Sequence, residues 1–381
     1  MIGKCNTGGG KSSGLYVWEK YEVILPYLSF IGNEDFTLKT YNTTKNWDGT
    51  LEYSTDKSTW SAWDGTEISS SGSKLYLRGT GNTKITGDSL DYKFVFTGTD
   101  ALKIACEGNI ENLLDYEMVS AGSHPTMADY CYSRMFDSCT ALTIAPELPA
   151  TTLGVGCYYN MFFNCRSLTT APELPATTLA NYCYFSMFQG CTALTTAPEL
   201  PATTLAVSCY YSMFYGCTSL TTAPALPATT LDDSCYRQMF YACTLLTTAP
   251  ELPATTLTFR CYSSMFQGCT ALTTSPALPA TTLDKGCYQG MFGGCTSLTT
   301  APELPATTLA NGCYQGMFGG CTKIKLSITQ TGEYQTAYRI PKSGTGAYAN
   351  GALISMFNNT GGTFTGTPEI NTTYYMSNTV V

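Results

Sequence analysis

The sequence CYFSMFQGCTALTTAPELPATTLAVS, residues 183–208, is one copy of a 26-residue unit that decides the fold. Its first cysteine recurs every 26 residues from Cys131 to Cys313, and its second cysteine follows eight residues after each of them. Seven units are complete, and the eighth leaves the pattern after Thr322. A fixed period without insertions is typical of repeat proteins in which each unit packs on the next.

Each unit has two halves with different periodicity. The first half, C-Y-x-x-M-F-x-x-C, places apolar residues at i, i+1, i+4, i+5 and i+8, which predicts a short helix with one buried face. The second half, L-T-T-A-P-E-L-P-A-T-T-L, has two prolines three residues apart, which predict an extended segment with a short strand at L-T-T. The two halves together predict an α/β solenoid of about eight coils over residues 131–326.

The pattern M-F-x-x-C-T-x-L-T, residues 187–195, resembles the centre of bacterial surface-antigen leucine-rich repeats of the BspA-like class. The resemblance covers residues 131–326, although that family has a shorter unit without the A-P-E-L-P-A-T-T-L block. It implies a right-handed leucine-rich-repeat solenoid that serves in adhesion, and it implies no catalytic residue. Residues 14–21 and 363–371 also resemble the two ends of some phage and prophage tail-associated proteins.

The flanks divide into four further segments. Residues 1–20 read as a flexible leader or attachment peptide, and residues 21–100 alternate apolar and polar residues between turn signals, which predicts a small Ig-like β-sandwich. Residues 101–130 are expected to cap the first unit and to contain a short helix over 110–119. Residues 327–381 are expected to form a C-terminal cap, in which residues 356–360 repeat M-F-x-x-C with Thr for Cys.

Sixteen of the 18 cysteines belong to the units. Their spacing does not match zinc sites, and on a helix the two cysteines of one unit would lie about 12 Å apart, too far for a disulfide. We predict that they are buried free thiols, with some disulfides or a metal site as alternatives. These structural core residues are Cys131, Cys139, Cys157, Cys165, Cys183, Cys191, Cys209, Cys217, Cys235, Cys243, Cys261, Cys269, Cys287, Cys295, Cys313 and Cys321.

Differences between units collect at positions that point outward from the predicted helix. Neutral drift on a surface would yield mostly Lys, Glu and Asp, whereas these positions carry residues typical of recognition surfaces, such as Tyr, Ser and Arg. We therefore predict a binding face, centred on units two to five, whose aromatic rings could stack on sugars, with drift as the alternative. This variable face comprises Tyr159, Asn160, Phe163, Tyr182, Phe185, Tyr211, Tyr215, Arg237, Tyr241, Phe259 and Arg260.

Composition and motifs argue against other classes of function. The net charge of -8 without a basic stripe disfavours a nucleic-acid partner, and no apolar run is long enough to span a membrane. The single histidine, His124, is expected in a solvated loop, so a Ser–His or Cys–His catalytic arrangement is not expected. Five units share a glutamate that two units replace with Ala225 and Ala277, which indicates a surface column. We expect no enzyme, no cofactor and no metal.

These features predict a receptor-binding or adhesion protein, of the phage or prophage tail-fibre type. Its N-terminus would bind other tail or particle proteins, and its repeats would bind a bacterial surface protein or glycan, with a homotrimer as one option. Its location would be the virion tail, or the extracellular space or cell surface. The alternatives are a bacterial cell-surface adhesin of the same repeat class and a structural spacer.

Overall fold

The computed structural model describes residues 25–89 and 92–377, so the predicted leader at residues 1–20 lies outside the described residues. The described part of the chain contains mostly short strands, in three open sheets, and one helix. The elements are β1 (Leu28–Gly32), β2 (Thr37–Thr40), β3 (Thr50–Ser54), β4 (Ser61–Trp63), β5 (Ile68–Ser69), β6 (Lys74–Thr80), β7 (Phe94–Thr97), β8 (Ile104–Glu107), α1 (Asn112–Ser120), β9 (Leu142–Ile144), β10 (Lys325–Ser327), β11 (Tyr334–Arg339), β12 (Gly361–Gly362) and β13 (Thr373–Ser377).

The N-terminal strands form two sheets with a shared aromatic core. One sheet has the order β4-β3-β6-β1-β8-β9, and the other has the order β5-β2-β7. The ring of Phe30 on the first sheet lies 5.2 Å from that of Phe96 on the second, and Trp63 lies 5.4 Å from Phe94. Alternating apolar residues on each strand supply this buried layer.

The N-terminal sheets are continuous with the first repeat unit. Strand β8 pairs in parallel with β9, which belongs to that unit. The N–H groups of Ile85 and Phe94 donate to the carbonyls of Cys131 and Met135 at 2.9 and 2.8 Å. The short helix expected over residues 110–119 corresponds to α1, which packs against β6 and is interrupted at Asp115, where φ is -158° and ψ is 97°. Buried apolar residues of both regions therefore belong to one hydrophobic core.

The first half of each unit is a chain of turns, and the prediction of a helix there is wrong. Every fourth residue has a left-handed backbone, as at Tyr182, Ser186 and Gly190 with φ of 59°, 51° and 75°. Each turn closes with a bond over three residues, as from Phe185 N–H to Tyr182 O at 3.1 Å. Such turns repeat every four residues, so they produce the same inward pairs of apolar residues as a helix of period 3.6.

The other backbone N–H groups of this half bond to the next unit. Tyr184, Ser186 and Phe188 donate to carbonyls 25 residues ahead, at 3.0, 2.8 and 2.9 Å. The residues between them donate within their own turns, so the bonds alternate along the chain. Because buried amide groups must be paired, each unit depends on its neighbour for half of the donors in this half.

The side chains between these turns stack in columns through the core. The buried tyrosines that follow the first cysteines lie 5.7–5.8 Å apart between ring centroids, and the phenylalanines that follow the methionines lie 5.5–5.7 Å apart. A degenerate last layer adds Phe357 at 5.3 Å from Phe318. In that layer the Thr360 hydroxyl, at the position of a cysteine, donates to Phe357 O at 2.8 Å.

The second half of each unit contributes very short parallel pairing. Apart from β9, the units are joined here by isolated bridges, such as Thr170 with Thr196 and Thr196 with Thr222. The expected L-T-T strand is thus reduced to a single residue in most units. Proline lacks the N–H that a ladder needs, and each unit has two prolines directly after this point.

The structure places all 16 repeat cysteines in the core as free thiols. The second cysteine of a unit donates its thiol to the preceding unit, as from Cys191 Sγ to Phe162 O at 3.0 Å. That carbonyl also accepts the N–H of Cys165 at 3.1 Å. Burial raises the pKa of the Cys191 and Cys209 thiols to about 12, so both are protonated at neutral pH.

No helix in residues 25–89 and 92–377 has the length and apolar character to cross a bilayer.

Substitution of Gly316 by Ala distinguishes left-handed turns from a helix, because it should lower the free energy of unfolding in the first case and raise it in the second. Gly316 has φ of 63°, and a Cβ there would have no atom within 4 Å, so only the backbone conformation is tested. We expect a loss of about 1 kcal/mol in the free energy of unfolding, measured by urea denaturation. In a helix the same change would stabilise the protein by about 0.5–1 kcal/mol. Gly216→Ala repeats the test at the following turn position of another unit, where φ is 70° and a Cβ would again have no atom within 4 Å.

Stability should fall steeply at alkaline pH. The unfolded chain releases thiol protons near 9.0, whereas the folded chain holds those of Cys191 and Cys209 up to about 12. The contribution of each thiol to the free energy of unfolding is therefore intact below pH 9. Above pH 9, that contribution falls by about 1.4 kcal/mol per pH unit. Circular dichroism in reducing buffer should show unfolding between pH 9 and 12. Cys191→Ala should make the pH dependence shallower, and a fold that survives unchanged to about pH 12 would contradict the prediction.

Candidate functional site

The predicted variable face lies along the outer side of the turns. Ten of its eleven residues are half-buried, in columns at equivalent positions of successive units. The exception is Asn160, which is 7% exposed and whose prediction as an outward residue is wrong. Asn160 is a left-handed turn residue with φ of 53°. Its N–H donates to Phe185 O of the next unit at 2.8 Å, so the residue lies against that unit and not on the outer surface.

Three aromatic residues of this face form a ladder across units two to four. The rings of Tyr159 and Phe185 lie 4.7 Å apart at 9°, and those of Phe185 and Tyr211 lie 4.6 Å apart at 15°. The guanidinium of Arg237 in unit five continues the column 5.2 Å from the Tyr211 ring. We call Tyr159, Phe185, Tyr211 and Arg237 the aromatic ladder.

Two residues missed by the sequence prediction extend the aromatic ladder at its N-terminal end. The guanidinium of Arg134 lies 5.4 Å from the Tyr159 ring, and the ring of Tyr130 lies 6.3 Å from it. Both are left-handed turn residues at the start of the first unit. The 26-residue period could have identified both residues, because it aligns Tyr130 with Tyr182 and Arg134 with Asn160.

A second aromatic column lies one turn further along the units. The rings of Tyr215 and Tyr241 stack at 4.5 Å and 2°, and burial raises the pKa of Tyr215. Phe163 occupies the same column without a stacked ring among the described residues. The remaining predicted residues lie at the side: Tyr182 is 6.2 Å from Phe185, and Arg260 is 5.1 Å from the Phe259 ring.

The stacking determines which parts of these rings can contact a ligand. Both faces of Phe185 are covered by neighbouring rings, and Tyr211 lies between Phe185 and Arg237. Sugar rings bind aromatic residues through a free face, so the expected sugar stacking is wrong for these two rings. The ladder presents ring edges and the tyrosine hydroxyls, which suit polar contacts beside apolar ones.

Several bulky residues on this side of the protein occupy left-handed backbone. Tyr130, Arg134, Tyr182 and Arg260 have φ between 51° and 59°, whereas units seven and eight have glycine at all equivalent positions. A left-handed conformation costs a non-glycine residue about 1–2 kcal/mol. The early units thus retain large side chains where the backbone favours glycine, which is typical of functional positions.

A separate cleft of about 710 Å³ lies beside the first unit and contains His124. The His124 side chain is 57% exposed, but its Nδ1 lies 2.7 Å from Oε2 of Glu111, which is 1% exposed. The loop position agrees with the sequence prediction, whereas the bond to a buried carboxylate does not. Burial raises the pKa of Glu111, and the neighbouring histidine partly offsets the shift.

The described residues contain no group of three or more His, Cys, Asp or Glu side chains placed to hold a metal ion. The recurrent glutamates are exposed, as at Glu199, and Glu303 pairs with Lys342.

Removal of Phe185 should destabilise the protein more than removal of Phe163. Phe185→Ser deletes two stacked pairs, each worth about 0.5–1.5 kcal/mol, whereas Phe163 has no stacked ring among the described residues. We expect Phe185→Ser to cost about 1–3 kcal/mol more than Phe163→Ser in urea denaturation. Equal losses would show that ring stacking contributes nothing to the energy of the ladder.

Comparison of the chain with protein-family models, with curated proteins and with solved structures found no match for any part of it.

Proposed function

We propose that the protein is a receptor-binding or adhesion protein that recognises a bacterial surface ligand through the variable face of its repeats. The observation that carries the proposal is the aromatic ladder, a half-buried column of rings at the positions where the units differ most. The units would form a right-handed leucine-rich-repeat-like solenoid of the BspA-like class, preceded by an Ig-like module. This assignment is supported by the 26-residue spacing of bonds and stacked rings along residues 131–326.

The composition of the variable face supports binding more than a structural role. The core columns and the backbone bonds between units are present in every unit, including those without ladder residues, because equivalent tyrosines, phenylalanines and cysteines are buried throughout. The ladder adds Tyr, Phe and Arg, the residues that dominate binding energy at interfaces. Neighbouring Ser, Gln and Gly residues provide adaptable polar contacts, as in antibody binding surfaces.

The geometry favours a ligand that contacts ring edges and hydroxyl groups. Because the ring faces within the ladder are covered, contact would run along the column and end at Arg134 and Arg237. A protein surface or a branched glycan matches an array of this kind. The ladder thus takes part in recognition as a rigid unit, which lowers the entropic cost of binding.

The proposed context is a phage or prophage tail fibre, located in the virion, with its N-terminus bound to other tail proteins and its repeats directed at the host. A homotrimer is the natural assembly for such a fibre. A bacterial cell-surface adhesin, exposed on the cell or released outside it, would use the same face. If the protein bound no bacterial surface ligand, the alternative of a structural spacer would be favoured.

Binding of the full-length protein to a panel of gut-type bacterial cells tests the proposal. The variant carries Ser at Tyr159, Phe163, Phe185, Tyr211 and Tyr215, and the measurement is flow cytometry with labelled protein. We expect binding to a few strains and a loss of at least about tenfold in the variant, because hot-spot aromatics contribute 2 kcal/mol or more each.

The matched control carries five exposed Thr→Ser changes on the other half of the units, at 170, 196, 222, 248 and 274. The control should bind like the original protein, and urea denaturation confirms that both variants are folded. Binding to no strain, or equal binding by both variants, would favour the spacer.

A further inference from the structure

A polar hollow of about 410 Å³ lies at the C-terminal end of the aromatic ladder and extends to the glycine-rich units seven and eight. Its walls come from units five to eight and from the last layer, and they include Arg237, Arg260, Gln267, Gln289 and Gln315. The hollow exists because Gly290 and Gly316 have no side chain where earlier units carry Asn160 and Ser186. In a comparison of the units by sequence, these glycines suggest no binding role, although their missing side chains leave room for the hollow.

Both arginines of the hollow lack an acidic partner. Neither guanidinium forms an ion pair with any residue of the described chain. The Nε atoms of Arg237 and Arg260 are buried and have no hydrogen-bond partner in the described structure. Because these Nε atoms are closed to solvent, a ligand in the hollow would bind the terminal amino groups of each guanidinium.

The arginines are held in place by neighbouring groups. Arg237 lies over the Tyr211 ring at the end of the aromatic ladder, and Arg260 lies over Phe259. A Cβ at Gly286 would come within 3.2 Å of Arg260 Cγ, so this glycine provides the room for the arginine side chain. Held side chains lose less entropy when a ligand binds.

The charge and the polar groups of the hollow define the class of ligand. The protein has a net charge of -8, yet the walls carry two cations and no Asp or Glu. Guanidinium groups recognise carboxylate and phosphate oxygens through paired hydrogen bonds. Glutamine amides both donate and accept, as from Gln289 to Gln315 at 3.3 Å, which suits a ligand rich in hydroxyl groups.

We infer that this hollow binds a polyhydroxylated anion, the carboxylate- or phosphate-bearing part of a bacterial surface polymer. The inference rests on the proposed function, because it identifies the ligand class of the same variable face. It places the charged contact in units five to eight, at the C-terminal end of the aromatic ladder.

Isothermal titration calorimetry of the full-length protein tests the inference with three probes. The probes are an oligogalacturonate with carboxylates, a glycerol-phosphate oligomer with phosphates, and neutral maltohexaose. We expect one anionic probe to bind, with an affinity that falls as salt is raised, and the neutral probe not to bind. The anionic probe that binds identifies the charged group.

The variant Arg237→Gln/Arg260→Gln should weaken that binding at least about tenfold, because charge-assisted hydrogen bonds are lost. The control Arg166→Gln/Lys323→Gln removes the same charge from two exposed residues outside the hollow and should bind like the original protein. The inference is wrong if neither anionic probe binds, if maltohexaose binds equally well, or if the arginine variant retains full affinity.

Cell binding separates this inference from the proposed function. If the arginine variant still binds bacterial cells while the five-Ser variant does not, the variable face is a receptor-binding surface but the hollow is not its anion site. If an anionic probe binds through the arginines but no cells are bound, the hollow is a binding site and the proposed function fails.

Discussion

The structure depends on the backbone hydrogen bonds that alternate between a turn and the next unit. A left-handed residue every four positions directs every second N–H group out of its own turn. The carbonyl 25 residues ahead accepts it, so the first half of each unit is completed only by its successor. At the last junction the acceptor lies 38 residues ahead, as from Tyr314 N–H to Ala352 O at 2.9 Å, so the bonds fix the spacing of the turns in the first half and tolerate a longer second half.

The core side chains follow from this constraint. Each turn contributes one inward pair, and these pairs form the columns of Tyr with Cys and of Met with Phe. The left-handed residue of the other pair is also buried in several units, as at Asn160 and Ser186. The second cysteine fits because its thiol is small, apolar and still able to donate to a backbone carbonyl. The half-buried residues on the outer side have no such role, and all residues of the variable face except Asn160 lie there.

The sequence was sufficient for the period, the buried columns, the extended half with its prolines, and helix α1. It misled on the first half of the unit, because apolar pairs four residues apart fit a helix of period 3.6 and a run of turns equally well. The distinguishing signal was glycine at three positions of units seven and eight, such as Gly286, Gly290 and Gly294. Glycine that frequent would weaken a short helix but suits left-handed turns.

The columns of the variable face could be located from the sequence, but their contacts could not. Stacking of Tyr159 on Phe185 requires the half-buried residues of adjacent units to lie in register. Backbone bonds between the turns of adjacent units set this register, whereas a helix would use those donors within itself. The burial of Asn160 and the bond between His124 and Glu111 depend on packing between distant segments, which no local pattern encodes.

The identical junctions between units also affect how this surface can evolve. Duplication or deletion of one whole unit preserves the partner of every backbone donor at the new junction. The gain or loss of one unit would lengthen the ladder, shorten it or bring Arg237 next to a different ring. Under the proposed function, the ligand that is bound could therefore change by the loss or gain of whole units, and each product would still be able to fold.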